Sequence, residues 1–346
     1  MKKTNNLRIE TINPLLSPAQ LFTDFPMTEK ANTTVADGRD AINAILRGED
    51  SRLIGIIGPC SIHDRDAALD YAKKLSALSE KVADKMFLVM RMYFEKPRTT
   101  IGWRGLITDP HLDGSYDIEG GLKLARNLLI EISEMGLPVA SEVLDPIIPQ
   151  YISDLISWSA IGARTTESQT HRNMASGLSM PVGFKNGTDG NMDIAVNALE
   201  SAMHSHSFIG LDENGKNCIL NTTGNDAVHI ILRGGHNGPN YYEENVELAE
   251  DKMKALGLNP AIIVDCSHAN SGKEWRKQER VLRSIVDQKA YGRKSLVGFM
   301  LESNLFEGSQ KIPSDIKTLE YGVSITDACI GWDDTEKMIW SAYGKL

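Results

Sequence analysis

The sequence predicts an α/β protein whose core is a closed (β/α)₈ barrel. Eight short apolar runs of strand length recur along the chain, and segments with helical periodicity separate most of them. Each run is continuously apolar, which is typical of a parallel sheet that is buried on both faces. Eight parallel strands that alternate with helices close into a TIM barrel.

The strands can be placed on the sequence one by one. Helical periodicity between them is clear from Leu69 to Val82 and from Leu122 to Met135. The predicted strands are Leu53–Ile57, Phe87–Arg91, Pro138–Glu142, Ala160–Arg164, Val182–Lys185, Val228–Arg233, Ile262–Asp265 and Val297–Glu302.

Two further apolar runs, in the segment SFIGLDENGKNCIL, interrupt the alternation. They flank Asn214 and Gly215, a dipeptide that favours a two-residue hairpin turn. We therefore predict a β-hairpin over about residues 206–223, inserted between barrel strands five and six. If the first run were a barrel strand instead, the barrel would have nine strands.

Residues 1–50 are predicted to form an N-terminal arm, and residues 51–346 the barrel domain. Prolines interrupt NPLLSP and DFPMTE, and only VADGRDAINAILRG has a helical pattern, so the arm is expected to be irregular with short helical pieces. We expect it to contact other subunits and to take part in regulation.

Composition and charge exclude several classes of protein. The chain has 41% apolar and 24% charged residues, as soluble globular proteins do. No apolar run approaches the roughly 20 residues of a membrane helix, and the start MKKTNNLRIE lacks the apolar core of a signal peptide. We therefore expect a cytoplasmic protein without a membrane partner. A net charge of −9 argues against nucleic acid as a partner.

Residues that can hold an anion or a metal end the predicted strands or follow them directly. The carboxyl ends of barrel strands meet at one mouth, so these residues are expected to form a single site. In strand order they are Cys60, Arg91, Glu142, Arg164, Lys185, Arg233, Cys266 with His268, and Glu302.

Positive charges dominate this set. A charged side chain is costly to bury at the end of an apolar strand, yet Arg91, Arg164, Lys185 and Arg233 all occupy that position. Any one of them could be a rim ion pair, but four together indicate capture of a carboxylate or phosphate. The loop EKPRTTIGWRG adds Lys96, Arg98 and Arg104, which predicts a second anion pocket.

A second group of side chains indicates a metal site. Cys60, His268 and Glu302 follow strands one, seven and eight, and Asp327 comes soon afterwards in the chain. One thiolate, one imidazole and two carboxylates suit Mn²⁺, Fe²⁺, Co²⁺ or Zn²⁺, whereas a thiolate disfavours Mg²⁺ and Ca²⁺. The four cysteines are too scattered for a disulfide framework, which leaves free thiols or a metal thiolate.

Longer motifs indicate a family. The chain contains GPCSIHD, RMYFEKPRTTIGWRGLITDP, GARTTESQTHR, PVGFKNGTDG, ILRGG, DCSHANS and YGVSITDACIGW. From about Leu7 to Trp332 it resembles the type I 3-deoxy-D-arabino-heptulosonate 7-phosphate (DAHP) synthases, the entry enzymes of the shikimate pathway. This resemblance implies a (β/α)₈ barrel with an N-terminal arm and an inserted hairpin, assembled as a homodimer or homotetramer.

The resemblance also implies a reaction, in which phosphoenolpyruvate condenses with erythrose 4-phosphate to give DAHP and inorganic phosphate. It implies one divalent metal ion, with Mn²⁺ and Fe²⁺ favoured over Co²⁺ and Zn²⁺. It assigns the metal to Cys60, His268, Glu302 and Asp327, and phosphoenolpyruvate to Arg91, Lys96, Arg164, Lys185 and Arg233, with Glu142 nearby.

The remaining assignments concern the second substrate and the chemistry. Arg98 and Thr99 resemble the residues that bind the phosphate of erythrose 4-phosphate, and Asp327 is expected to face the substrates. Lys96, Cys60 and His268 are the predicted catalytic residues, with Lys96 as the candidate proton donor to the new hydroxyl.

Related enzymes are inhibited by an aromatic amino acid that binds outside the barrel mouth. Gly210 stands where phenylalanine-sensing relatives tend to carry serine, so the chain resembles the tyrosine-sensing branch most closely, and we predict tyrosine as the effector. The matching positions are Pro149, Gln150, Leu178, Ser179, Phe208, Gly210 and Leu220.

Three other functions are compatible with parts of this pattern. A 3-deoxy-manno-octulosonate 8-phosphate synthase would use the same enolpyruvyl donor, although the KPRTT loop, the arm and the hairpin argue against it. A Schiff-base aldolase would use Lys185 as its nucleophile. A metabolite-sensing barrel without catalysis would be free to lose ligands, and none is missing here.

Overall fold

The computed structural model describes residues 1–98 and 100–346 and confirms the (β/α)₈ barrel. Eight parallel strands close in the order β1-β2-β3-β4-β5-β8-β9-β10, and β10 pairs with β1. The barrel strands are β1 (Leu53–Gly58), β2 (Met86–Arg91), β3 (Val139–Glu142), β4 (Trp158–Ile161), β5 (Val182–Lys185), β8 (Val228–Leu232), β9 (Ile262–Asp265) and β10 (Leu296–Glu302).

The fourth strand lies earlier in the chain than predicted. It was expected at Ala160–Arg164, but the chain turns at Gly162, whose carbonyl accepts hydrogen bonds from the amides of Thr165 (3.0 Å) and Thr166 (2.9 Å). Arg164 therefore lies in a turn after β4. Arg233 likewise follows β8 and is not its last residue.

Helices surround the barrel. They are α1 (Pro18–Asp24), α2 (Glu29–Arg47), α3 (Arg65–Val82), α4 (Ile118–Glu134), α5 (Pro149–Ile152), α6 (Gln169–Ala175), α7 (Asp193–Met203), α8 (Glu243–Ala255), α9 (Gln278–Ala290) and α10 (Trp332–Tyr343). No helix within the described ranges is long and apolar enough to cross a membrane.

The first 50 residues are more regular than predicted, because α2 is a helix of 19 residues. It begins at Glu29, before the periodic segment, since the Thr28 side chain accepts a hydrogen bond from the Ala31 amide and caps the first turn. It ends at Gly48, which takes the left-handed conformation with φ 77°.

Helix α2 closes the end of the barrel opposite the mouth. Its residues Ile42, Ile45 and Leu46 belong to one buried cluster with side chains of the barrel interior, among them Ile54 and Ile263. The Asn259 side chain, just before β9, donates to the Leu46 carbonyl at 3.0 Å. Residues 1–17 form neither helix nor strand.

The inserted hairpin is present, with a turn one residue longer than predicted. Strands β6 (Ser207–Leu211) and β7 (Asn217–Asn221) are antiparallel. The Asp212 amide donates to the Lys216 carbonyl at 2.9 Å, which extends the pairing by one residue on each strand, so the turn itself consists of three residues, Glu213 to Gly215. Gly215 has φ 75°, the left-handed residue that such a three-residue turn requires.

Candidate active site at the barrel mouth

The carboxyl ends of the strands surround one cavity of about 260 Å³. The sequence-predicted residues that line it come from eight separate segments of the chain, with 91–98 counted as one. They are Arg91, Lys96, Arg98, Glu142, Arg164, Lys185, Arg233, His268, Glu302 and Asp327. Cys60 lies fully buried next to them, and Thr99 falls outside the described residues.

Three of the predicted metal ligands form a compact group. Ligand atoms of Cys60, Glu302 and Asp327 all lie within 4.8 Å of one another. Asp327 reaches this group because the chain after β10 returns to it: the Ile330 amide donates to the Glu302 carbonyl at 3.0 Å. The Thr326 hydroxyl lies 2.7 Å from that of Ser61, next to Cys60.

His268 lies at the edge of this group, with its Nε2 atom 4.0 Å from Glu302 Oε1. Its backbone has φ 52°, an uncommon left-handed conformation that the loop after β9 maintains. The Lys273 amide donates to the His268 carbonyl at 2.7 Å and closes this loop. The structure thus brings three of the predicted ligands together and places His268 beside Glu302 at the edge of their group.

The donor set fits a divalent metal. The Cys60 thiol has a raised pKa because it is buried and close to Glu302, with Lys96 acting in the opposite direction. A coordinated cation would reverse this effect, since metal-bound thiols are deprotonated. Burial alone would also raise the pKa of Glu302, but the charges of His268, in its protonated form, and of Arg91 outweigh burial and lower it.

Arg91 is held rigidly in the wall of the cavity. Its Nε donates to the Pro59 carbonyl at 3.1 Å and its Nη2 to Glu302 Oε1 at 2.9 Å. The guanidinium stacks 3.6 Å above the Tyr93 ring. Its Nη1 has no partner within the described part of the chain and is available for an anionic ligand.

Lys96 joins the cation set to the thiol. Its ammonium donates to Cys60 Sγ at 3.1 Å and to the Cys60 carbonyl at 3.2 Å. Burial alone would lower the pKa of Lys96, but the negative charges of Cys60 and Glu302 outweigh it and raise the pKa. Lys96 is therefore a charged proton donor beside the metal group.

Arg233 and Arg164 add positive charge on the other side of the cavity. Burial lowers the pKa of Arg233, and the nearby charge of Arg164 lowers it further. Glu142 is buried below them, and a Cβ on Gly162 would lie only 2.1 Å from its carboxyl oxygen. Position 162 therefore has to be glycine if Glu142 is to occupy this place.

The loop after β2 is only partly in the cavity. Arg98 lines the cavity, and its Nε donates to the Trp103 carbonyl at 2.8 Å. Arg104 is exposed and does not line the described cavity, so its part in a second anion pocket stays a prediction. Arg98 remains the described cation of this loop that can hold a second phosphate.

Cys266 does not belong to the site. It was predicted at the mouth because it follows β9, but its side chain is buried in the apolar layer between the barrel and the helices. Successive residues of a strand point to opposite faces, so Cys266 points outward where Asp265 points inward. Burial and the charge of Asp265 raise the pKa of the Cys266 thiol well above its usual value.

Sequence reasoning missed two buried carboxylates. Asp265 contacts both Lys185 and His268, each at 2.9 Å. Glu95 lies in the cavity-side loop, and burial with the nearby charge of Asp145 raises its pKa to about 8. The signal for Asp265 was present: it is a charged residue that ends an apolar strand, as the predicted cations do.

The predicted effector residues lie around the hairpin and α5. Phe208 and Leu220 are cross-strand partners in the hairpin, and a Cβ on Gly210 would meet Leu220 at 2.4 Å. Pro149 and Gln150 begin α5. The loop with Leu178 and Ser179 lies near the base of the hairpin, where the side chains of Ser176 and Thr222 are 2.6 Å apart.

The segment around α1 connects these two elements. The Tyr151 hydroxyl in α5 donates to the Leu16 carbonyl at 2.8 Å, and the Ala19 amide donates to the Glu213 carbonyl in the hairpin turn at 2.8 Å. Movement of the N-terminal segment would therefore change hydrogen bonds to both α5 and the hairpin.

Comparison with known proteins agrees with this architecture. Residues 24–339 match the model of the DAHP synthetase I family. The chain belongs to the DAHP synthetase I family. It is therefore a 3-deoxy-7-phosphoheptulonate synthase by family, acting at the first step of the shikimate pathway. Enzymes of this family depend on a metal in general.

Individual relatives match over nearly the whole chain. The tyrosine-sensitive phospho-2-dehydro-3-deoxyheptonate aldolase of Escherichia coli K12 is 52% identical over 342 residues, 99% of this chain and 96% of the relative. The phenylalanine-sensitive enzyme of the same strain is 52% identical over 337 residues, 97% of this chain and 96% of the relative. Sequence identity alone therefore does not indicate whether tyrosine or phenylalanine is the effector of this chain.

A solved structure confirms the fold. The phospho-2-dehydro-3-deoxyheptonate aldolase of Francisella tularensis SCHU S4 superposes with a TM-score of 0.95 at 45% sequence identity, and the match covers 98% of each chain.

Proposed function

We propose that the cavity at the barrel mouth is where this chain condenses phosphoenolpyruvate with erythrose 4-phosphate. One observation carries the assignment: six of the predicted cations line a single cavity of about 260 Å³ together with two carboxylates of the cysteine-carboxylate metal group. Phosphoenolpyruvate carries a carboxylate and a phosphate, and a cluster of guanidinium and ammonium groups is the chemistry that holds both.

The two cationic sides of the cavity suit the two ends of phosphoenolpyruvate. Arg91 and Lys96 lie beside the metal group, and Lys185, Arg164 and Arg233 lie across from them. Held at both ends, the substrate can present its C3 carbon in one orientation only. Such positioning, together with fixed charges, supplies much of the catalytic effect in reactions of this type.

Cys60, His268, Glu302 and Asp327 would hold the divalent metal. A bound divalent cation would act as a Lewis acid on the aldehyde of erythrose 4-phosphate. Mn²⁺ or Fe²⁺ is favoured and Co²⁺ or Zn²⁺ is an alternative, because the donor set mixes one thiolate with imidazole and carboxylate. A cytoplasmic location, which keeps thiols reduced, fits the free Cys60 thiol.

The side chains divide the remaining work. Arg98, with Thr99, holds the phosphate of erythrose 4-phosphate and points its aldehyde toward the phosphoenolpyruvate. Lys96, a charged donor next to Cys60, gives a proton to the aldehyde oxygen as C3 attacks the aldehyde carbon. Water then adds to the cationic C2, and the proton that it releases restores the charge of Lys96. The C2 hydroxyl so formed becomes the ketone as phosphate leaves by cleavage of the C2–O bond and takes up the hydroxyl proton. Glu142, which lines the same cavity, would orient the water.

A Schiff-base mechanism at Lys185 fits the geometry poorly. The Lys185 ammonium donates to the buried Asp265 carboxylate at 2.9 Å, so it is held as a cation and not as a free amine. Borohydride in the presence of substrate is therefore expected to leave Lys185 unmodified.

Regulation by tyrosine is proposed at the hairpin, with a second copy of the chain completing the site. The hairpin exposes Ile209 (83%) and Ile219 (72%) side by side, and the N-terminal segment exposes Leu7 (65%) and Ile12 (74%). Apolar side chains this exposed on a strand pair and on an irregular arm favour burial between subunits. A homodimer or homotetramer follows from this proposal.

The test is a coupled measurement of DAHP and phosphate with purified protein. We expect both products in equal amounts from phosphoenolpyruvate and erythrose 4-phosphate, loss of turnover with a chelator, and recovery with Mn²⁺. Arabinose 5-phosphate in place of erythrose 4-phosphate serves as the comparison substrate. Faster turnover with arabinose 5-phosphate, or release of phosphate without DAHP, would contradict the proposal.

A further inference from the structure

Asp265 joins the substrate cations to the metal group. Its Oδ2 atom accepts from Lys185 Nζ at 2.9 Å and lies 2.9 Å from His268 Nδ1. Its Oδ1 atom accepts from the amide and the hydroxyl of Ser267, at 3.0 Å and 2.7 Å. The residue is fully buried, so water does not compete for these contacts.

The contact with Asp265 fixes the orientation and the tautomer of His268. His268 Nδ1 lies 2.9 Å from Asp265 Oδ2 and 2.7 Å from the Ser267 hydroxyl, which itself donates to Asp265 Oδ1. With Nδ1–H donating to this pair of acceptors, the lone pair of Nε2 is free and lies 4.0 Å from Glu302 Oε1. Carboxylates that accept from the distal nitrogen of a metal-binding histidine raise its basicity as a ligand. Asp265 therefore sets how well His268 binds a cation.

The same Asp265 oxygen is shared with Lys185, and this sharing links the two ligands. While Lys185 donates to Oδ2, its positive charge reduces the negative charge that His268 experiences. An anion that takes up the Lys185 ammonium would weaken this donation, leave Oδ2 more basic and strengthen its bond to His268 Nδ1. The imidazole then becomes a better ligand at Nε2.

We propose that Asp265 is a positioning residue that couples the binding of phosphoenolpyruvate at Lys185 to the binding of the metal at His268. This inference rests on the proposed function of the cavity. Each ligand tightens the other by the same factor, because coupling between two binding equilibria is reciprocal. The coupling therefore favours the state in which phosphoenolpyruvate and the metal are both bound.

Asp265 carries only part of this coupling. On the other side of the metal group, Arg91 Nη2 donates to Glu302 Oε1 at 2.9 Å, so a second substrate cation also contacts a carboxylate of the metal group. Glu302 is itself a predicted ligand, whereas Asp265 is outside the ligand set. Replacement of Asp265 therefore separates coupling from ligation.

The test uses Asp265→Asn, which keeps the shape and removes the charge. Mn²⁺ binding is measured by calorimetry with and without phosphoenolpyruvate, and the ratio of the two affinities is the coupling factor. For the variant we expect Mn²⁺ affinity without phosphoenolpyruvate to fall about 10- to 100-fold. We expect the coupling factor to fall about 2- to 30-fold.

Glu250→Gln is the matched control. Glu250 is also a largely buried carboxylate with an arginine partner, Arg293 at 3.2 Å, but it lies at the opposite end of the barrel next to Ser295. Its replacement is expected to leave both the Mn²⁺ affinity and the coupling factor unchanged.

A coupling factor in Asp265→Asn equal to that of the wild type would overturn the inference, even if Mn²⁺ affinity fell, because Asp265 would then only support the ligand. If Asp265→Asn does not fold, Asp265→Glu decides, since it keeps the buried negative charge but moves the carboxylate from its place between Lys185 Nζ and His268 Nδ1. A reduced factor supports the inference and a wild-type factor overturns it. Failure of the proposed function would differ, as the wild type would neither bind phosphoenolpyruvate nor form DAHP.

Discussion

At the scale of single residues, the site consists of charges buried in pairs. Arg91 with Glu302 and Lys185 with Asp265 are almost entirely excluded from solvent. Removing paired charges from water costs about as much as their attraction returns, so such pairs do little for stability. We attribute their presence at one cavity to the charged ligands that they bind. The cost of burying a charge is clearest at Glu95, whose pKa is raised by burial.

Glu95→Gln is predicted to change how stability depends on pH. Burial and Asp145 raise the pKa of Glu95 to about 8, above its ordinary 4.5, so the folded protein holds a proton that the unfolded chain has released. Stability supplied by this proton is lost as pH rises from about 4.5 to about 8. The variant should equal the wild type near pH 4.5 and be more stable at pH 9, by up to about 5 kcal/mol.

Urea unfolding of both proteins across this pH range measures the difference. Parallel stability profiles would show that Glu95 is not protonated in the folded state. Asp145→Asn is a useful companion, because removing this neighbouring charge should bring the profile of the otherwise unchanged protein closer to that of Glu95→Gln.

At the scale of elements, the most informative departures from the sequence-based predictions lie outside the strands. Strand ends could be predicted because apolar runs stop at charged residues, and β5 and β9 have the predicted bounds. The start of α2 could not be predicted, because the segment TEKANTT lacks apolar residues at helical spacing. Its helical conformation depends on the cap at Thr28. The positions of Arg164 and Asp265 could not be predicted for a similar reason, since only the three-dimensional course of the backbone decides which side chains face the cavity.

Helix α2 is predicted to stabilise the barrel without affecting its chemistry. Ile42 is fully buried between α2 and the barrel interior, so Ile42→Ala should lower the free energy of unfolding by about 2–5 kcal/mol. Ile42→Val, which removes one methylene, should cost about 0.5–1.5 kcal/mol. Denaturant titration gives both values.

The rate of DAHP formation by folded Ile42→Ala should stay close to the wild-type rate, because α2 lies at the end of the barrel away from the cavity. A large loss of turnover in protein that remains folded would mean that α2 also shapes the active site.

The hairpin is predicted to set the response to the effector. A side chain on Gly210 would force Leu220 to move, since the nearest Leu220 atom lies 2.4 Å from the position of its Cβ. Gly210→Ser should therefore weaken inhibition by tyrosine while leaving the uninhibited rate unchanged. Inhibition curves with tyrosine and phenylalanine measure this, and an unaltered tyrosine curve would place the effector elsewhere.

At the scale of the whole molecule, one barrel end carries the proposed active site and helix α2 covers the other. The (β/α)₈ fold followed from the order of the apolar runs, and the inserted hairpin followed from the two runs that flank Asn214 and Gly215. Assembly could not be derived in this way, because the exposed apolar side chains of the arm and the hairpin indicate a candidate contact surface but not the geometry of an assembly.

Removal of residues 2–12 is predicted to separate regulation from catalysis. The deletion removes exposed Leu7, Ile9 and Ile12 but keeps α1 and the Leu16 carbonyl that binds Tyr151. We expect a smaller assembly by light scattering and loss of tyrosine inhibition, with turnover per chain retained. An unchanged assembly with full inhibition would rule out the arm as the subunit contact.

The central claim is that Cys60, His268, Glu302 and Asp327 bind one cation next to the phosphoenolpyruvate site. Crystals grown with Mn²⁺ and phosphoenolpyruvate test it through an anomalous difference map. We expect a single strong peak at the barrel mouth, within bonding distance of Cys60 Sγ and of His268 Nε2. A peak bound by other residues, or a mouth that holds phosphoenolpyruvate but no metal, would contradict the account.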